Sequence, residues 1–334
     1  MKKVYFLIPD GSLKLSSLFG AIEIFEHAND FLVNKGASPY YDIKVIGSDL
    51  RQSLLNSQFM IKTGINELDG ESPDLIIIPG VFENNNLSSR ENKAFLDWMV
   101  DQYKDGCQLA SLCTGAFMLA ATGLLANKEC ATHWAAERLF REMFPDVKLC
   151  TDKIVTDSNG IYTAGGANSS LNLILYLIEK FNGHEIALYC AKILQIDIDR
   201  NSQLPFMIFK GQRNHDDETI REVQDFIEAN IDERVTVEFL AEKFAISKRN
   251  FIRRFKKATK SLPIEYIQKT KIEAAKRNLE LKRKNVNEVM YSVGYTDVKA
   301  FRTIFKKLTG YSPTEYQQKF SSSVNGPLIS LWIQ

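Results

Sequence analysis

The stretch from Val235 to Tyr316 says one thing twice, so it must build the same supersecondary unit twice. The segment FIRRFKKATKSLPIEYIQK begins at Phe251. Displaced by fifty residues, it lands on FRTIFKKLTGYSPTEYQQK from Phe301, with ten positions identical. Phe251/Phe301, Phe255/Phe305, Lys256/Lys306, Lys257/Lys307, Pro263/Pro313 and Tyr266/Tyr316 are among them. The same register carried upstream matches Glu238 with Glu288 and Leu240 with Met290. Ser247 and Asp297 both stand where a helix N-cap is wanted. The unit reads helix, short turn, helix.

In the first copy Thr236 to Ala245 is a short amphipathic helix with Val237, Leu240 and Phe244 inward, and Ile246 is the turn. The second helix opens at Ser247 and aligns Phe251, Phe255 and Ala258 on one face. Its other faces carry Lys248, Arg249, Asn250, Arg253, Arg254, Lys256 and Lys257. In the second copy Val286 to Val293 is the first helix and Gly294-Tyr295-Thr296 the turn. Phe301 and Phe305 then point inward, and Lys299, Arg302, Thr303 and Lys306 outward. A helix from about Ile264 to Lys282 joins the copies, with Ile267, Ala274, Ala275 and Leu279 available for packing. Short helices crossing at a tight turn, the second one basic, describe a DNA-reading helix-turn-helix.

Charge points the same way. From Lys243 to Lys319 there are twenty Lys and Arg against six Asp and Glu, while the whole chain carries only +1. A near-neutral chain with one strongly basic region confines its polyanion contact to that region.

The segment from about Glu218 to Tyr316 resembles the AraC/XylS family of transcription regulators. The motifs that carry the resemblance are the Gly294-Tyr295 turn, Phe301-x-x-x-Phe305-Lys306-Lys307, and Gly310-Tyr311-Ser312-Pro313-x-x-Tyr316. The resemblance implies that the two second helices enter successive major-groove segments of double-stranded DNA. By position the DNA-contact set is Lys248, Arg249, Asn250 and Arg253, then Val298, Lys299, Arg302 and Thr303. Arginine suits guanine, asparagine suits adenine, and Val298 suits a thymine methyl. Lys256, Lys257, Lys306 and Lys307 are the expected phosphate contacts, which position without specifying.

At 334 residues the chain has room for two domains. No apolar run is long enough to span a bilayer, so no membrane partner is expected. The start, MKKVYFLIPDG, has two lysines before an apolar run that ends at Pro9-Asp10, too short for a signal peptide. A buried strand is the better reading. The five cysteines are scattered, with no CxxC and no zinc spacing, which suits reduced thiols in the cytoplasm and predicts no metal and no cofactor.

The N-terminal part alternates strand and helix. Strands are expected at Val4–Ile8, Tyr41–Ile46, Leu54–Lys62, Asp74–Ile78, Gln108–Leu112 and Cys130–Thr132, and a hairpin turns at Ser158-Asn159-Gly160. Helices are expected at Leu13–Asn34, Glu91–Tyr103, Thr114–Thr122, Ala135–Met143, Asn168–Lys180 and Glu185–Leu194. Apolar strands alternating with helices predict a parallel, doubly wound α/β sheet. The expected organisation is a domain at 1–197, a linker at 198–217, an all-α domain with two helix-turn-helix units at 218–320, and a tail at 321–334. In the tail, Leu328–Ile333 is apolar enough to dock.

One local feature carries chemistry. Leu109-Ala110-Ser111-Leu112-Cys113-Thr114-Gly115-Ala116 runs strand, Cys, small residues, helix. A Cys at such an elbow is expected to expose its sulfur at the C-terminal edge of the sheet, where α/β folds bind ligands. The bland alternative is a small buried Cys filling space. Residues 1 to about 195 resemble the ThiJ/PfpI group of the class I glutamine amidotransferase-like superfamily, which has a flavodoxin-like fold. The matching pieces are Gly20-x-x-Glu23-x-Phe25, Ile78-Pro79-Gly80, Cys113-Thr114-Gly115, Thr132-His133-Trp134 and Thr163-Ala164-Gly165-Gly166. By this resemblance Glu23 approaches Cys113, and His133 lies near the same pocket. The ligand-binding set it implies is Glu23, Gly80, Cys113, Thr114 and His133. The two resemblances together describe GlxA-like regulators.

Two departures weigh against catalysis. Thr114 follows Cys113 where peptidase-like members place a His, and Ser17 stands where isonitrile-hydratase-like members carry an acid. The main expectation is therefore a DNA-binding regulator whose N-terminal domain senses a small-molecule effector and forms a homodimer. RNA polymerase is a further candidate partner. The alternatives are a Cys113-dependent hydrolase or hydratase of a small nitrogen compound tethered to DNA, and a redox sensor at Cys113.

Overall fold

The computed structural model describes residues 1–10, 12–47, 51–54, 59–62, 72–81, 90–200, 202–281 and 284–321. The apolar tail segment 328–333 and the end of the expected joining helix at Lys282 lie outside them. The chain divides into two compact units, Met1–Gln203 and Leu204–Gln334.

The first unit is built on a six-stranded sheet. Its strands are β1 (Lys2–Ile8), β2 (Tyr41–Gly47), β5 (Leu75–Ile78), β6 (Gln108–Ser111), β9 (Val155–Ser158) and β10 (Ile161–Ala164). The order is β2-β1-β5-β6-β10-β9. The first five are parallel, as expected. The edge strand β9 is antiparallel to β10, so the sheet is mixed. The cause is local: Asn159 and Gly160 both take positive φ, 51° and 74°, the backbone of a tight hairpin that cannot feed a parallel crossover. The expected strand at Leu54–Lys62 is an antiparallel pair outside this sheet, β3 (Arg51–Leu54) and β4 (Phe59–Lys62). Two short strands, β7 (Glu129–Cys130) and β8 (Lys148–Leu149), pair separately.

Strand residues alternate between two cores. Val4, Phe6, Ile8, Leu75 and Ile77 join Leu18, Phe25 and Ala28 of α1 (Leu15–Asn34), with α5 (Leu171–Asn182) and α6 (His184–Ile193). Tyr5, Leu7, Ile76 and Ile78 face the opposite layer, which holds Phe95 and Met99 of α2 (Arg90–Lys104), α3 (Ala116–Ala121) and Phe140 of α4 (Glu137–Met143). Both faces are covered, which is why these strands read as unbroken apolar runs.

The second unit is all helix among the described residues apart from its connections. It contains α7 (Glu218–Ala229), α8 (Val237–Lys243), α9 (Lys248–Thr259), α10 (Pro263–Glu280), α11 (Val286–Ser292), α12 (Val298–Thr309) and α13 (Pro313–Phe320). The repeat is repeated in geometry. Phe251 and Phe255 lie 5.7 Å apart, as do Phe301 and Phe305. Phe255 meets Tyr266 edge-on at 5.3 Å, and Phe305 meets Tyr316 at 5.5 Å. The Tyr266 hydroxyl donates to Glu228 at 2.8 Å, and that of Tyr316 to Glu280 at 2.6 Å. Thr259 and Thr309 each donate to the carbonyl four residues back, at 2.8 Å in both copies. Pro263 and Pro313 begin the following helices, where a missing N–H costs nothing.

Two details differ from the sequence reading. The fifty-residue register fails upstream of the turn. There α8 and α11 are offset by 49, so Leu240 and Ala241 correspond to Val289 and Met290. Ile246 N–H bonds Ala241 O at 2.9 Å and Tyr295 N–H bonds Met290 O at 3.1 Å, which marks the same offset. Thr296 is therefore an extra turn residue that Leu240/Met290 matching had concealed. Also, Ser247 makes no side-chain cap bond, whereas Asp297 accepts from the N–H of Lys299 at 2.8 Å and of Ala300 at 3.1 Å.

Replacing Phe305 by Ala removes a fully buried ring from the second copy and should cost about 3–5 kcal/mol. Tyr316→Phe keeps the ring but leaves Glu280 without its donor, and should cost about 1.5–3 kcal/mol. Urea unfolding followed by far-UV circular dichroism measures both. No loss from Phe305→Ala would contradict the core described here.

Candidate nucleic-acid interface and the Cys113 elbow

Burial of the paired phenylalanines turns the remaining faces of α9 and α12 outward. Lys248, Arg249, Arg253, Lys256 and Lys257 are exposed on α9, and Asn250 is half-buried. On α12, Val298, Lys299, Arg302, Thr303, Lys306 and Lys307 are all exposed. Asn250 Oδ1 accepts from Arg253 at 2.9 Å, and Lys248 pairs with Glu238 of α8 at 2.5 Å. Arg254, which the helix pattern placed among the outward cations, is used internally. Its guanidinium meets both Asp217 oxygens, at 3.0 and 2.7 Å, and Asp217 in turn caps α7 by accepting from Ile220 N–H. The Arg254 hydrogen bond holds the Asp217 carboxyl below its ordinary range. No helix among the described residues is long and apolar enough to cross a membrane.

The elbow at Cys113 has the expected backbone and an unexpected environment. Cys113 takes φ +55°, an uncommon value for a residue with a Cβ. Leu112 N–H bonds Ile78 O at 2.9 Å, which brings the β6 turn against the β5 turn. A Cβ on Gly115 would lie 2.5 Å from Ile78 O and 2.6 Å from Pro79 O, so glycine is required at that contact. The Thr114 hydroxyl bonds the Val81 carbonyl and accepts from its N–H. The thiol is not exposed: Cys113 is 0% accessible and Thr114 3%. Gly80 lies close to Ser17, Lys14 and the Cys113 Cβ. Lys14 Nζ lies 3.7 Å from Cys113 Sγ.

Glu23 is a second correction. It stands on the exposed side of α1, while Ala21, Ile24 and Phe25 are buried. Ser17 faces the elbow instead, accepting from Gly80 N–H at 2.8 Å and donating to Lys14 O at 2.7 Å. Six residues of helix separate the two, about 240° of rotation, so they cannot share a face. The Ser17 hydroxyl has its proton committed to Lys14 O and brings no acid. His133 is half-buried and caps the short turn 134–136, its Nδ1 accepting from Ala135 N–H at 3.1 Å. Its ring lies against Gly166.

Sequence reasoning missed Gln203, which fell in the expected linker. Its side chain is buried and donates to the carbonyls of Thr132, Thr151 and Lys153 at 2.9, 2.9 and 3.0 Å. It accepts from Gly166 N–H at 2.8 Å and Trp134 N–H at 3.3 Å. Thr132 in turn donates to Cys113 O at 3.0 Å. Gln203 is the last residue of the first unit, and 204–217 belong to the second. Glutamine in a polar stretch carries no signal of such a role. All five cysteines are free thiols. Burial pushes Cys107 and Cys130 up to about 12 and Cys190 up to about 11. Among the described residues no group of three or more His, Cys, Asp or Glu is placed to hold a metal ion.

Residues 2–180, more than half of the chain, match the DJ-1/PfpI family. The chain belongs to the DJ-1/PfpI family. Behind the DJ-1/PfpI domain, residues 240–319 match a helix-turn-helix domain. One protein similar over both parts is the HTH-type transcriptional regulator GbdR of Pseudomonas aeruginosa. It is 24% identical over 318 residues, 95% of this chain and 84% of that protein. The HTH-type transcriptional regulator GlxA of Rhizobium meliloti is 24% identical over 224 residues, 65% of this chain and 67% of that protein. A solved structure from Vibrio parahaemolyticus shares the fold of the DJ-1/PfpI domain, with a TM-score of 0.51 and 22% identity over 58% of this chain and 98% of that one. The chain is thus an AraC-type helix-turn-helix DNA-binding regulator fused to a DJ-1/PfpI domain.

The Asp217–Arg254 pair has a pH signature. A carboxyl with a depressed folded pKa adds stability above its unfolded value of about 3.9, and that stability is lost as pH falls through the folded value. Arg254→Met should lower the stability of the helical unit at pH 7 and flatten its loss below about pH 4. Urea midpoints from pH 2 to 7 measure this, and parallel acid limbs for variant and wild type would contradict it.

Proposed function

We propose that this regulator reads a specific DNA sequence with α9 and α12, each entering the major groove, in the cytoplasm and as a homodimer. The observation that carries the reading is that both helices are held by the same buried Phe-Phe-Tyr arrangement, so both turn an equivalent basic face outward. Base contacts come from Arg249, Asn250, Arg253, Val298, Lys299, Arg302 and Thr303, with Lys248 flanking them. Phosphate contacts come from Lys256, Lys257, Lys306 and Lys307.

The DJ-1/PfpI domain takes a small metabolite beside Cys113, with Gly80, Thr114 and His133 around it, and Lys14 as the side chain that must move to admit it. Glu23 has no part in that site. What supports a sensor over turnover is the committed Ser17 hydroxyl, which leaves the acid–base step without an owner. Gln203 supports transmission, because it ties the walls of that region to the end of the unit.

Selection of bound duplexes from a random pool tests the DNA reading. Arg249→Ala and Lys299→Ala should each relax base preference at a different part of the site, by about 1–3 kcal/mol per position. Lys306→Ala should instead weaken all sequences alike and lower the salt slope by about 1. Unchanged base preference in both of the first two variants would overturn the assignment.

A further inference from the structure

The two helix-turn-helix copies do not share a core. Ile220, Val223, Leu240, Phe251, Phe255, Tyr266 and Ile267 form one cluster. Ile272, Ala275, Leu279, Val289, Phe301, Phe305 and Tyr316 form another. Helix α10 contributes to both and changes allegiance between Ile267 and Ile272. Besides α10, apolar packing links the copies through the segment before α7, where Phe206 meets Phe320 at 5.6 Å and Phe209 meets Tyr266 at 5.1 Å.

At that changeover sits a buried cation. Lys271 is 6% exposed. Its Nζ donates to Glu233 O, in the loop leading to α8, at 2.7 Å. It also donates to Val293 O, at the turn of the second copy, at 3.0 Å. Gly294, at φ +71°, brings the same two segments into contact: a Cβ there would lie 2.6 Å from Asp232 O and 2.6 Å from Lys271 Nζ. The ring of Tyr295, which packs on Phe301 at 5.4 Å, lies 5.7 Å from the ammonium. Burial lowers the pKa of this lysine, and the charge of Asp232 opposes the shift. Burying an ammonium is costly unless fixed acceptors meet it, so the two carbonyls and the lysine hold one another in place. The repeat offers no counterpart: fifty residues on, the position is Ser321. This node belongs to the junction and to neither copy.

We propose that Lys271, with the close approach at Gly294, is the positioning element that sets the spacing and relative orientation of the two recognition helices. It thereby selects the number of base pairs between the two sequence elements the protein accepts. The proposal rests on the reading that both helices contact bases.

The test selects duplexes from a random pool with the full chain, comparing wild type with Lys271→Met and Gly294→Ala. Lys271→Met keeps the length of the side chain and removes the donor; Gly294→Ala pushes a methyl group into Asp232 O. In both variants each element should keep its base preference. The preference for the wild-type spacing over one altered by a base pair should fall by about tenfold. Retention of the wild-type spacing by folded variants would overturn the proposal. So would failure of both to fold by circular dichroism, since the node would then serve stability and not spacing. If only one folds, its spacing preference decides. If wild type itself selects a single element, the two-helix reading fails first, and the result is distinguishable from failure of the Lys271 assignment.

Discussion

Phe251 and Phe255, like Phe301 and Phe305, sit one helical turn apart and are buried to the last atom or nearly so. A helix that buries two rings at i and i+4 has no rotational freedom about its axis. Every outward residue of α9 and α12 is assigned by that constraint. The tyrosine edge on each pair extends it to the next helix, and the tyrosine hydroxyl, bonded to Glu228 of α7 or Glu280 of α10, extends it to the helix that precedes each helix-turn-helix unit. A base-reading surface is thus specified by apolar residues that touch no DNA. The same constraint explains why Arg254, one residue ahead of Phe255, is drawn sideways to Asp217 while Arg253 stays outward.

The two units treat buried polar groups in a parallel way. In the DJ-1/PfpI domain, Gln203 brings one amide to three carbonyls and two N–H groups. In the helical unit, Lys271 brings one ammonium to two carbonyls from separate copies. Hydrophobic clusters are nondirectional and hold elements together without choosing an angle. Hydrogen bonds have geometry, and once buried they are costly to break. Both residues join segments that packing alone would leave loosely related.

The elbow shows how a local pattern and its environment can diverge. The backbone at Cys113 is what the strand–Cys–Thr–Gly–helix pattern demands, including the glycine that lets β5 and β6 turns touch. Accessibility is a different matter. It depends on residues far away in the chain, such as Lys14, whose ammonium lies against the buried thiol, and Gly80, which packs against the Cys113 Cβ. Glu23 was misplaced for a related reason. A short motif match assigns a residue type to a position but does not say which way the helix has been rotated by its neighbours.

By itself the sequence determined the two-part organisation, the parallel order of apolar strands, the duplicated helical module and its inward phenylalanines. All of these follow from periodicity, which is a local property. It also located the basic region, because charge needs no fold to be counted. The hairpin that makes the sheet's edge antiparallel was legible too, whereas only the tertiary structure decided the 49-residue offset of the first helices, the burial of Cys113, and the roles of Gln203, Arg254 and Lys271. The roles of Gln203, Arg254 and Lys271 depend on which distant carbonyl or carboxylate each side chain meets. Such encounters arise from the packing of whole elements, and no spacing along the chain records them.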